Sequence, residues 1–168
     1  MASSSPLDST FRTPPEILAS GQLGTPPNPF GEIHRQETIT GFDISANGQV
    51  VYANARESFF IYSSTDAGNT WSQSEINQAN GPIAVSPTDD KHLLYAGSGR
   101  LYRSTDGLMT TQKVLDAPAT LTDVVIAPPD TRVVYAITEG YWLYKSTDSG
   151  ESFILLSNLR SDVLNQQP

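Results

Sequence analysis

The sequence predicts an all-β protein built of three four-stranded antiparallel units. Three observations predict it. From about Ile39 onward, short apolar runs rich in β-branched and aromatic residues alternate with polar turns. The same order of runs recurs three times: Tyr52, Tyr95 and Tyr135 lie 43 and 40 residues apart, and Asp66, Asp106 and Asp148 lie 40 and 42 apart. No stretch carries a convincing helical period. A repeat near 40 residues with four strands in each copy is the pattern of propeller blades. Such a sheet cannot bury both faces alone, so it stacks on copies of itself.

The elements follow in chain order. Residues 1–31 hold six of the 12 prolines, with Ser, Thr and Gly between them. That composition forms neither long helices nor central strands, and reads as a flexible leader or an extended arm laid over a surface. The first blade is placed at 32–80, the second at 81–118 and the third at 119–157. "GFDIS", "PIAVS" and "DVVIA" are the first strands, and "NGQVVYA", "DKHLLYA" and "TRVVYA" carry the second. "FFIYSSTD", "RLYRSTD" and "WLYKSTD" supply the third, and runs near 71–76, 111–115 and 153–156 the fourth. From each Tyr to the Ile or Leu of the third strand is 9, 6 and 8 residues, so the loop between these strands varies while the strand cores do not. Residues 158–168 read as a tail or as the start of a further blade.

In each copy Ser-Thr-Asp follows a strand directly. Asp and Ser side chains accept hydrogen bonds from nearby backbone N–H groups and so build turns. Gly68 and Gly150 supply positive φ without steric cost. Trp71 and Phe153 follow those glycines by three residues, where they can fold back and seal the blade.

"SSTDAGNTW" resembles the Asp-box, or BNR repeat, Ser-x-Asp-x-Gly-x-Thr-Trp. Ser64, Asp66, Gly68, Thr70 and Trp71 match it fully; Ser146, Asp148, Gly150 and Phe153 form a second copy with Ser152 in the Thr place. Ser104, Asp106 and Thr110 form a decayed third, with Leu108 in the Gly place and Thr111 in the aromatic one. The resemblance implies a β-propeller with each box as the hairpin between third and fourth strands, remote from any catalytic or binding centre. Leu108 is expected to change the path of its turn, and Thr111 to leave the second outer hairpin looser.

The chemistry is bounded mostly by what is missing. A net charge of -8 and a pI near 4.5 argue against nucleic acid and anionic membrane surfaces as partners. The chain has no cysteine for a disulfide or thiolate, no apolar window long enough for a membrane span, and no signal peptide is read at its start. No metal site or cofactor is expected, because His34 and His92 lack metal-ligand spacing with other donors. No three arginines share a blade, as a sialidase carboxylate clamp would need.

The candidate ligand-facing residues are Asp43 and Asp123, near the starts of first strands that would line a central channel, and Glu139 beside Tyr141 and Trp142. The last group, an acid next to aromatics, suits sugar stacking. No catalytic centre is expected to be complete within the chain. The predicted role is a non-catalytic binding or assembly module acting through protein–protein contacts. The alternative is part of a carbohydrate-active glycoside hydrolase whose active site further blades complete. Propellers close with at least four blades, so three leave two end faces unserved. A longer propeller, a second copy or another protein would cover them, with "ESFFIYSS" and "GYWLYKS" as the interface candidates.

Overall fold

The computed structural model describes residues 38–74, 76 and 78–164. The leader at 1–31 and the last four residues of the tail lie outside the described residues. Within them the chain forms three meandering antiparallel sheets. The first blade comprises β1 (Ile39–Ile44), β2 (Val51–Ala55), β3 (Ile61–Ser64) and β4 (Ser72–Gln73). The second comprises β5 (Ile83–Ser86), β6 (Asp89–Gly97), β7 (Arg100–Ser104) and β8 (Gln112–Asp116). The third comprises β9 (Leu121–Ile126), β10 (Val134–Thr138), β11 (Trp142–Ser146) and β12 (Ile154–Asn158). In each sheet the strands lie side by side in sequence order.

The blades stack side by side with their first strands together, β1 beside β5 and β5 beside β9. Strand alternation explains how the middle blade serves two neighbours. Leu93 and Tyr95 of β6 join Tyr52, Ile61, Ile83 and Val85 in the core between the first and second blades. Leu94 and Ala96 of the same strand join Leu121, Val124, Val134 and Tyr144 in the core between the second and third. Full burial of each of these Leu side chains stabilises the stack by about 2 kcal/mol. The arrangement is an incomplete propeller: three blades side by side, not closed into a ring.

Hydrogen bonds cross the seams where side chains meet backbone. The buried Asn54 donates from Nδ2 to the Gly81 carbonyl at 2.6 Å, while its Oδ1 accepts from the Thr40 hydroxyl at 2.7 Å. The Tyr52 hydroxyl donates to the Asp90 carbonyl at 3.1 Å, and Arg103 Nε to the Ser149 carbonyl at 2.9 Å.

One feature departs from the sequence reading. A six-residue helix, α1 (Leu159–Leu164), follows β12 directly. The Asn158 carboxamide oxygen accepts from the Arg160 and Ser161 amides at 3.2 and 3.4 Å, an N-cap for a helix too short to show a period. The outer strands differ in length, five residues in β8 and two in β4.

Candidate functional site

The three blades present the same turn at one end. In the first, the Ser64 hydroxyl donates to Asp66 Oδ1 at 2.8 Å and accepts from the Asp66 and Gly68 amides. Asp66 Oδ1 accepts from the Thr70 amide at 2.8 Å, and Oδ2 from the Thr70 hydroxyl at 2.6 Å. Ser104, Asp106, Leu108 and Thr110 repeat these five bonds in the second blade. Ser146, Asp148, Gly150 and Ser152 repeat them in the third. The residue after each Asp ties the turn to its own blade: the Ala67, Gly107 and Ser149 amides donate to the Gln49, Lys91 and Arg132 carbonyls at 2.9, 3.0 and 2.9 Å.

These bonds hold the carboxylates ionised. The Thr70 hydroxyl, then the Thr70 amide and the Ser64 hydroxyl, bring Asp66 from 3.8 to about 2. The Ser146 and Ser152 hydroxyls do the same for Asp148, also to about 2. Asp106 is lowered mainly by the Thr110 hydroxyl. With their lone pairs taken by the turn, the three carboxylates face inward to their own hairpins.

The expectation that Leu108 redirects its turn is overturned. Each turn places two successive residues in the left-handed region: Ala67 and Gly68, Gly107 and Leu108, Ser149 and Gly150, with φ between 58° and 87°. One of each pair is glycine, which makes that conformation cheap at one position. In the second blade the glycine simply comes one place earlier. Trp71 folds back to donate from Nε1 to the Gly68 carbonyl at 3.0 Å, and Phe153 packs on the core between the second and third blades.

The opposite end gathers the loops between second and third strands. A hollow of about 530 Å3 lies there, lined among others by Arg56, Phe59, Asn80, Ala119, Thr120 and Glu139. Each of these loops holds a non-glycine residue at positive φ: Phe59 at 61°, Ser98 at 53° and Tyr141 at 64°. Side chains are held in that region only where the surroundings determine it, and such strain concentrates at functional surfaces. Phe59 and Tyr141 are also exposed.

The structure separates the three candidate ligand-facing acids. Glu139 lines the hollow. Asp43 joins two blades instead, its Oδ1 accepting from the Ile44 amide at 2.8 Å and its Oδ2 from the Val85 amide at 2.7 Å. Asp123 is exposed on the third blade, with Oδ1 accepting from the Val124 amide at 2.8 Å. Asp43 pairs with Tyr52, whereas the residue paired with Tyr135 is Val125, so the two aspartates differ in register by two residues. Trp142 is half-buried against the core between the second and third blades, leaving Tyr141 as the open aromatic beside Glu139. The loop of variable length and the aromatic run "ESFFIYSS", which holds Phe59, were the sequence signals for this end; the contribution of Asn80 left no mark in the sequence. Among the described residues no cluster of His, Cys, Asp and Glu could hold a metal ion, and no helix is long and apolar enough to cross a membrane.

Neither protein-family models nor curated protein sequences give a match. Solved structures do. YCF48 from Cyanidioschyzon merolae superposes with a TM-score of 0.63 at 15% identity, over 80% of this chain and 42% of that one. A structure of YCF48 bound to D1 peptide gives 0.55 at 14% identity, over 71% and 40%. The GH74 xyloglucanase from Xanthomonas campestris gives 0.55 at 24% identity, over 68% and 18%. The likeness is one of fold: that of Asp-box propellers. The chain spans less than half the length of each of these structures.

Proposed function

We propose that the chain is a non-catalytic propeller module that holds a protein or peptide segment against the loop end of its blades. The observation that carries this reading is the distribution of carboxylates. Asp66, Asp106 and Asp148 are spent on turns and Asp43 on a blade seam, which leaves Glu139 as the acid that lines the hollow among the described residues. Glycoside hydrolysis needs two carboxyl groups facing each other about 5–10 Å apart across the scissile bond. Glu139 lining the same hollow as Phe59 and Arg56 offers instead an apolar contact flanked by both charge signs, which suits a peptide. The YCF48 structure with a bound peptide supports the same use of this fold. The GH74 likeness keeps the glycosidase alternative specific: it requires a second carboxylate from outside these three blades.

Selection of a displayed peptide library on the immobilised chain tests the proposal. Selected peptides should lose binding to a Phe59→Ala, Glu139→Gln variant and keep it for Met109→Ala at the opposite end. The same preparation should leave xyloglucan and sialosides intact. Turnover of either glycan, or peptides that bind the loop-end variant unchanged, would overturn it.

A further inference from the structure

The far face of the third blade is an ordered grid. Cross-strand partners point to the same side of a sheet. Val125, Tyr135, Lys145 and Ile154 therefore form one row across β9 to β12, and Asp123, Ile137, Leu143 and Ser157 the next. In the second blade the same register positions fall at Ala84, Leu94, Ala96 and Leu101, which are 0–3% exposed beneath the third blade. On the third blade Val125 is 49% and Ile154 65% exposed, while Tyr135, Ile137 and Leu143 are half-buried. The face carries the apolar pattern of an inner blade surface and is open.

Its two charges lie diagonally opposite, at the corners of the part of the grid spanned by β9 to β11. Asp123 stands on β9 in one row, and Lys145 on β11 in the other, its ammonium 5.6 Å from the centre of the Tyr135 ring. Between them lie Ile137 and Tyr135 of β10. A two-fold axis in the plane of the face, perpendicular to the line joining these corners, sets each Asp123 opposite the Lys145 of another copy, twice, around an apolar centre. Self-complementarity of this kind is what an isologous pair requires.

We propose that a second copy of this chain covers the face, third blade against third blade, with reciprocal Asp123–Lys145 pairs fixing the register. The proposal rests on the reading of the chain as an assembly module but uses a different surface, since neither charged residue lines the loop-end hollow. Light scattering over a concentration series is the measurement, applied to the wild type, Asp123→Lys, Lys145→Glu and the double exchange. The wild type should rise from 18.2 kDa toward twice that mass. Each single variant should stay monomeric, because each sets like charges together at both corners, and the double variant should dimerise again. Overall charge predicts otherwise: Asp123→Lys makes the chain less negative and would strengthen association if net charge governed it. A wild-type mass of 18.2 kDa at every concentration, or dimers indifferent to the single exchanges, would overturn the proposal. Peptide binding at the loop end, read on the same variants, separates failure of the dimer from failure of the binding role.

Discussion

A Cβ atom on Gly150 would come within 2.7 Å of the Leu94 Cδ2, so the third box turn rests directly on a side chain of the core between the second and third blades. Leu94 is fully buried and Gly150 has φ +79°. Gly68 occupies the same place in the first turn, at φ +87°, but a Cβ there would meet nothing nearer than Trp71 at 3.9 Å. Gly68→Ala should cost about 1 kcal/mol, the price of left-handed backbone alone. Gly150→Ala should cost about 3 kcal/mol, because Leu94 must also shift in a packed core. Urea denaturation of both variants compares them, and equal losses would contradict the contact.

The box carboxylates set an acid limit. Their folded values lie below the ordinary 3.8, so the stability they contribute is complete above that pH and is lost as pH falls through about 2. Asp148→Asn should lower the denaturation midpoint at neutral pH and flatten its fall between about 4 and 2. An unchanged acid slope would show that the hydroxyl bonds do not hold the charge.

A second pH response begins higher. His92 is buried, its Nε2 has no hydrogen-bond partner, and burial followed by the nearby Arg103 charge lowers it below 6.5, against smaller opposing effects of the Ser149 backbone and Asp89. The folded state thus holds a neutral ring. Its contribution is intact above 6.5 and declines as pH falls toward the folded value. His92→Gln should reduce the loss of stability just below pH 6.5, read from melting temperature against pH. A variant as sensitive as the wild type in that window would exclude His92.

Asn54 crosses the first seam through its bond to Gly81 and ties β2 to β1 of its own blade through Thr40. Asn54→Ala leaves the Gly81 carbonyl and the Thr40 hydroxyl without this partner inside the protein, and should cost about 3 kcal/mol. Thr40→Ala removes one bond at a half-exposed position and should cost about 1 kcal/mol. Equal effects in urea denaturation would mean that the Asn54–Gly81 bond across the seam contributes nothing.

The blades were legible because their physics repeats. β6 shows why: Leu93 to Ala96 must satisfy two neighbours, so the run is apolar throughout and easily seen. The Leu108 turn was misread because the position of a glycine, not its presence, decides which residue bears the left-handed strain. The α1 helix was missed because six residues give fewer than two turns, and its cap at Asn158 doubles as the end of a strand. The loop-end hollow is harder still. Arg56, Asn80, Ala119 and Glu139 come from segments far apart in the chain, and only the stacking of blades brings them together.

The binding role itself is tested most directly by site-specific photo-crosslinking in extracts of the source cells. A photoreactive amino acid replaces Phe59 at the loop end, and in a second preparation replaces Met109, 85% exposed at the box end. The account predicts discrete protein adducts from the Phe59 position and none from the Met109 position. No adduct at Phe59, or the same adducts from both ends, would contradict it.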